Sequence, residues 1–281
     1  MQLVLISGLS GSGKSIALAA LEDSGYYCVD NLPALLLPQL VRQLEDDGYA
    51  QVAVAIDMRG GKSTAALPLV LRDLARLPNM ALRFVFLDAR DEVLIQRFSE
   101  TRRRHPLATG DITLAEAIAA ERTALELLIP LAHRIDTSHL RPNALRGFVR
   151  ELAAAPATEG LTLLFQSFGF KYGLPLDADL VFDVRCLPNP HYDPQLRPLT
   201  GRDAAVIDFL AGQTDVEAMF ADIERFIATW LPAWLRENRS YLTVALGCTG
   251  GQHRSVYFAE RLAAAFRDRL RVLVRHRNLL H

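Results

Sequence analysis

Between Leu3 and Leu21 the chain reads LVLISGLSGSGKSIALAAL, and no other stretch constrains its folding as tightly. Leu3-Val4-Leu5-Ile6 is a short apolar run of the kind that forms a strand buried on both faces. Gly8 to Ser15 is a full G-x-x-x-x-G-K-S phosphate-binding loop. Ile16, Leu18, Ala19 and Leu21 then follow helical spacing until Gly25 stops it. Strand, glycine-rich loop and helix in that order bring inward-turned N–H groups and the positive end of a helix to one point, which suits phosphate. Gly8, Leu9, Ser10, Gly11, Ser12 and Gly13 form the expected cradle, Lys14 reaches the outer phosphates, and the Ser15 hydroxyl is placed to ligate Mg2+.

Lysine usage points the same way. Of 31 basic residues only Lys14, Lys62 and Lys171 are lysines, and a compact ammonium on a flexible stem does work that a planar guanidinium does not. Lys171, inside SFGFKYG, is therefore a second candidate anion contact, with chance survival at the surface as the alternative for it and for Lys62. With a formal net charge of -1 the chain is no bulk polycation, so anion binding has to come from local clusters. The N-terminus lacks a basic region ahead of an apolar segment, and no 18-residue apolar run occurs. Cys28, Cys186 and Cys248 are odd in number and far apart, which argues against a disulfide framework or a zinc ribbon. The expected compartment is the cytoplasm.

At 281 residues two domains are the better expectation. The first, 1–152, alternates strand candidates at 3–7, 26–29, 52–57, 82–88 and 134–136 with helical patterns near 34–47, 64–77, 91–103 and 114–128. That rhythm predicts a P-loop kinase-like parallel α/β sheet with helices on both faces and ligands outside the carboxyl ends of the strands. Residues 153–160, AAAPATEG, read as a linker. The rest, 161–281, predicts a smaller α/β domain with strands at 161–167, 180–184, 242–246 and 270–274 and helices near 202–211, 215–236 and 254–268.

Nucleotide chemistry also needs a carboxylate for the metal at the end of a neighbouring strand. Asp57, in the D-x-x-G run Asp57-Met58-Arg59-Gly60, is the favoured candidate, and Asp88, ending FVFLD, is the alternative. Arg97 and Arg102-Arg103-Arg104-His105 resemble the lid of small kinases, where arginines close over phosphates; a solvated basic helix end explains them equally well. Asp30-Asn31 either meets a phosphoacceptor or makes a turn before Pro33.

A second strand, loop and helix pattern lies at LTVALGCTGGQHRS. Its candidate anion contacts are Cys248, Thr249, Gly250, Gly251, His253, Arg254 and Ser255, with Asp183, His191 and Arg197 nearby in kind. Cys-x5-Arg-Ser is also the spacing of cysteine-dependent phosphatases, with Asp183 or Asp193 as the only general acids to propose.

GLSGSGKS, GYYCVDNLP at 25–33, SFGFKYGLP at 167–175, RCLPNPHYDPQLRPLTGRD at 185–203 and GCTGGQHRSVYFAERLA at 247–263 resemble the RapZ/YvcJ family of bacterial RNase adapter and nucleotide-binding proteins, along essentially the whole chain. The resemblance implies ATPase and GTPase activity, with Gly8–Ser15 taking ATP and Asp57–Gly60 assigned to GTP. It implies a C-terminal domain that senses glucosamine-6-phosphate, binds small regulatory RNA and presents it to an RNase, in a homo-oligomer. Members with that RNA role end in a Lys-rich tail, whereas this chain stops at RHRNLLH. The cations left for RNA are Arg267, Arg269, Arg271, Arg275 and Arg277, with Lys171, so weaker binding with a flatter salt dependence is expected.

Overall fold

The computed structural model describes residues 1–56, 66–108, 111–154, 161–236 and 241–279. The chain divides into two compact units, Met1–Ala157 and Thr158–His281.

In the first unit the elements run β1 (Gln2–Gly8), α1 (Lys14–Glu22), β2 (Tyr27–Val29), α2 (Leu37–Asp46), β3 (Gln51–Ala55), α3 (Leu67–Leu74), β4 (Ala81–Asp88), α4 (Asp91–Thr101), α5 (Leu114–Leu125), β5 (His133–Asp136) and α6 (Pro142–Ala154). The strands form one parallel sheet in the order β2-β3-β1-β4-β5. β1 lies at the centre, so Leu3, Val4, Leu5 and Ile6 have no solvent exposure, which is why that strand is apolar throughout. The order reverses on either side of β1, and the loop after it opens where the crossovers diverge.

Local chemistry sets the helix limits. Thr113 caps α5 in a reciprocal box: its Oγ1 accepts from Glu116 N–H at 3.3 Å while Glu116 Oε2 accepts from Thr113 N–H at 2.8 Å. α6 departs from the expected organisation, because the linker predicted from Ala153 begins later. Leu145, Val149, Leu152 and Ala153 are buried on one face of a helix that packs against α1. The Ala153 carbonyl accepts from Tyr26 Oη at 3.3 Å and from Arg83 Nη1 at 3.0 Å. Alanines without a side chain to pattern conceal a helix end in the sequence. Residues 155–160 of the expected linker lie outside the described residues.

The second unit contains β6 (Thr162–Gly169), β7 (Leu180–Asp183), α7 (Ala204–Ala211), α8 (Thr214–Arg236), β8 (Tyr241–Cys248), α9 (Arg254–Phe266) and β9 (Arg271–His276). Its sheet is also parallel, in the order β7-β8-β6-β9. Its core joins Leu163 and Phe165 of β6 to Val244 of β8, Ile223 and Ile227 of α8, and Phe258 and Phe266 of α9. Among the described residues no helix is long and apolar enough to cross a membrane.

Both tryptophans, Trp230 and Trp234, belong to α8, so their fluorescence reports the second unit alone. Phe258 is fully buried. Phe258→Ala should destabilise that unit by about 3 to 5 kcal/mol in urea titrations followed by tryptophan emission. A shift below about 1 kcal/mol would contradict the packing described for α9.

Candidate functional site: two strand, loop and helix junctions

The loop between β1 and α1 needs glycine where the sequence supplies it. Gly8 (φ +142°) faces the β4 backbone so closely that a Cβ there would stand 2.1 Å from Leu87 O. Gly13 (φ +107°) precedes α1, and a Cβ on it would stand 2.9 Å from Leu145 Cδ2. Lys14 Nζ curls back over the loop, donating to Gly8 O at 2.7 Å and Leu9 O at 3.2 Å. Ser15 is exposed in the first turn of α1. A cavity of about 540 Å³ is lined by Ser10 through Ile16 and, from other segments, by Asp30, Asn31, Arg97, Arg103 and Arg104. An open helix N-terminus, an ammonium and facing guanidiniums in one cavity fit a polyphosphate.

The other expected contacts divide. Asp57, Met58, Arg59 and Gly60 lie outside the described residues. Asp88 is no metal ligand: its buried carboxylate accepts from Arg122 Nη1 at 2.9 Å, Arg134 Nε at 3.0 Å and Ala89 N–H at 2.7 Å, and from Arg134 Nη2 as well. Its lone pairs are filled by the fold. Arg97 is a brace and not a free lid cation, donating to Gly11 O at 3.0 Å, Thr137 Oγ1 at 3.1 Å and Thr137 O at 2.7 Å. Burial lowers its pKa, against the opposing pull of Asp136 and Glu100. His105 is buried against Glu121 and is no lid cation either. Arg103 and Arg104 do reach the cavity.

Ser10, expected in the cradle, directs both its N–H and its hydroxyl to Glu121, each at 2.8 Å. Sequence reasoning passed over Glu121. The signal is its place on the α5 face made by Ala117, Ile118 and Leu125, where a fully buried carboxylate interrupts an apolar stripe.

In the second unit the loop between β8 and α9 is equally close-packed. A Cβ on Gly247 would stand 2.4 Å from Phe170 Cε2, and one on Gly169 would stand 2.6 Å from the Gly250 carbonyl carbon. Gly251 has φ +71°. Arg254, 3% exposed at the first turn of α9, donates from Nη1 to Arg185 O at 2.7 Å and Leu187 O at 2.8 Å. Its buried Nε has no hydrogen-bond partner among the described residues. Thr249, Gly250, Gly251 and His253 share this loop, Ser255 follows in the first turn of α9, and the His191 ring lies 6.3 Å from that of His253. Arg197 Nε donates to His191 O at 3.0 Å.

Lys171, expected among RNA contacts, belongs to the same junction: its N–H donates to Thr249 O at 3.3 Å, and a Cβ on Gly250 would stand 3.9 Å from its Nζ. Arg275 and Arg277 depart from expectation. They are 4% and 7% exposed, and Arg271 is half-buried, so β9 presents no open row of cations to a phosphate backbone.

The phosphatase reading loses one of its two candidate proton donors here. Asp183 is clamped by Arg185 at 3.0 and 2.6 Å, and that hydrogen bonding lowers its pKa. A carboxylate held ionised cannot protonate a leaving group. Cys248 Sγ, 3% exposed, accepts from Gly251 N–H at 3.2 Å and lies 3.1 Å from Ser255 Oγ, as a packed element of the loop floor.

A five-stranded parallel sheet with its phosphate loop after the central strand defines the class, a P-loop kinase-like α/β fold followed by a smaller parallel-sheet unit. Residues 1–156 match the family described as the RapZ-like N-terminal domain, and residues 161–280 match the RapZ C-terminal domain. The chain belongs to the RapZ family. It is similar to the nucleotide-binding protein of Aromatoleum aromaticum, 66% identical over 278 residues covering 99% of this chain and 95% of that protein. It is similar also to that of Nitrosomonas europaea, 61% identical over 280 residues covering 99% and 96%. Among solved structures it is similar to a sugar kinase from Janibacter sp. HTCC2649, with TM-score 0.38 and 20% identity over 55% of this chain and 96% of that one. The corresponding values for the shikimate kinase of Bacteroides thetaiotaomicron are 0.37, 16%, 53% and 97%.

His253 gives the second unit a pH signature. Burial lowers its pKa from the ordinary 6.5, with a further push from His191, so the unfolded chain takes up a proton that the folded one resists. That contribution to stability is present above pH 6.5 and is lost as the pH falls below it. Asp183, Asp203, Glu217 and Glu260 are held below their ordinary values, so their contributions fade only below about pH 4.5. Thermal melts followed by tryptophan emission should therefore decline as the pH falls below about 6.5, and His253→Gln should make that decline shallower.

Proposed function

We propose that this chain is a cytoplasmic nucleotide-binding regulator that hydrolyses ATP and GTP at the first junction and responds at the second to glucosamine-6-phosphate and small regulatory RNA. The observation that carries the nucleotide reading is the cavity itself, where the glycine-built loop, Lys14, Arg103 and Arg104 meet. Lys14 leaves the Gly8 and Leu9 carbonyls for the outer phosphates, and its charge offsets theirs. Ser15 and Asp57 are the residues to hold Mg2+, which when bound supplies further neutralisation of the phosphate oxygens.

For the second junction the supporting observation is Arg254, a buried guanidinium with an unpartnered Nε beside loop N–H groups and a helix N-terminus. A phosphate ester satisfies such a group, and a neutral sugar does not. Lys171 and His191 lie at its rim, within reach of the rest of a sugar phosphate or of an RNA backbone. An RNase is the protein partner this reading implies, and assembly into a homo-oligomer would multiply weak RNA contacts.

A second reading has one observation in its favour. Asp30 and Asn31 line the cavity of the phosphate loop, where an acceptor hydroxyl would stand in a small-molecule kinase. Equal yields of ADP and inorganic phosphate with candidate acceptors present would exclude it.

Lys14→Ala should abolish ATP and GTP turnover and weaken triphosphate binding, and wild-type hydrolysis rates in this variant would sink the nucleotide assignment. Calorimetric titration of the full chain should show glucosamine-6-phosphate binding at least about tenfold tighter than glucosamine, a preference that Arg254→Gln removes. Gel shifts with a structured small RNA should weaken as salt rises and in Lys171→Ala. Absence of any shift at low salt would leave a regulator that acts through proteins.

A further inference from the structure

Three donors converge on Glu121, which has no solvent exposure. Ser10 N–H reaches Oε2 and Ser10 Oγ reaches Oε1, each at 2.8 Å, and His105 Nε2 lies 3.0 Å from Oε2. Leu107 N–H donates to His105 Nδ1 at 3.1 Å, which leaves the ring proton on Nε2, aimed at the carboxylate. One side chain therefore grips the phosphate loop and the residue that directly follows Arg102-Arg103-Arg104.

The contacts around it join the same two segments. The His105 ring packs on Phe98 at 5.2 Å between centroids, and a Cβ on Gly11 would stand 3.3 Å from Phe98 Cε2. Arg97, beside Phe98, donates to Gly11 O at 3.0 Å. A buried carboxylate carries a large desolvation penalty, and an apolar residue often serves stability as well or better. The neighbours on this face, Ala117, Ile118 and Leu125, are apolar. What Glu121 supplies and an apolar residue cannot is a fixed geometry between loop and arginine segment.

We propose that Glu121 is a positioning residue for nucleotide turnover, locking Ser10 and His105 in one frame so that Arg103 and Arg104 stand at a set distance from the phosphates on the loop. The inference rests on the nucleotide reading of the first junction. A shift of the loop at Ser10 on nucleotide binding moves the root of the arginine segment with it, and order in that segment holds the loop.

The test uses the full chain, a fluorescent ATP analogue for binding, ATP hydrolysis for turnover, and trypsin cleavage after Arg102–Arg104 with and without nucleotide. Glu121→Gln keeps the shape but removes the negative charge and one acceptor oxygen, so that an amide NH2 meets the Ser10 hydroxyl that the carboxylate accepted from. It should bind the analogue within about threefold of wild type, turn over ATP about tenfold more slowly, and lose the nucleotide-dependent protection from trypsin. His105→Gln, which retains an N–H donor, should recover most of the turnover, and His105→Ala should not. Ser10→Ala deletes one hydroxyl from an otherwise intact loop and stands in if Glu121→Gln fails to fold, with an expected loss of about threefold in turnover. Wild-type turnover and protection in folded Glu121→Gln, or wild-type turnover in Ser10→Ala, would overturn the proposal. Failure of the wild-type chain to bind the analogue would overturn the nucleotide reading and this one with it, an outcome distinct from variants that bind but do not turn over.

Discussion

The carboxyl end of β4 is the frame on which the first unit's site is built. Leu87 O accepts from Leu9 N–H at 3.2 Å, which fixes where the phosphate loop leaves β1, and it leaves no room for a side chain on Gly8. One residue on, Asp88 O accepts from Thr137 N–H at 2.8 Å and Thr137 Oγ1 at 3.0 Å, and Thr137 Oγ1 lies 2.9 Å from Ser12 O. The Asp88 carboxylate meanwhile draws Arg122 of α5 and Arg134 of β5 together. Loop, flanking strand and the helix bearing Glu121 thus share one anchor. A carboxylate whose partners hold loop, strand and helix in register does more than its own free energy suggests, because its loss lets each segment move independently.

The two junctions solve one physical problem with different cations. Both carry a glycine at or next to the end of a buried strand, Gly8 and Gly247, turn through a left-handed glycine and open a helix, an arrangement whose N–H groups suit an anion. In the first unit the cation is a lysine that can swing between loop carbonyls and a ligand. In the second it is an arginine pinned by the Arg185 and Leu187 carbonyls. A pivoting ammonium suits phosphates that change during turnover. A pinned fork suits recognition of one fixed group.

How much of this was legible in the sequence follows from what each residue's pattern can encode. The phosphate loop was legible because its glycines are forced by backbone geometry, and the strands around it because burial on both faces leaves apolar runs. The end of α6 was not, since Ala153 and Ala154 mark helix and linker alike. Asp88 read as the alternative metal ligand to Asp57 because a strand-end carboxylate looks the same whether it faces solvent or two arginines that lie 34 and 46 residues away in the chain. Arg275 and Arg277 read as surface cations because charge is visible in a sequence and burial is not.

Charge placement links these points. Arginine predominates among the cations, and the described arginines of the first unit are largely engaged with the protein itself: Arg97 with carbonyls, Arg122 and Arg134 with Asp88, Arg83 with Ala153 O. A guanidinium so held stiffens the frame and cannot also follow a ligand. The two described lysines, Lys14 and Lys171, both stand beside a glycine-rich loop that opens a helix. In a chain with nearly balanced charge, the proposed anion binding therefore rests on local chemistry at these two junctions rather than on bulk charge.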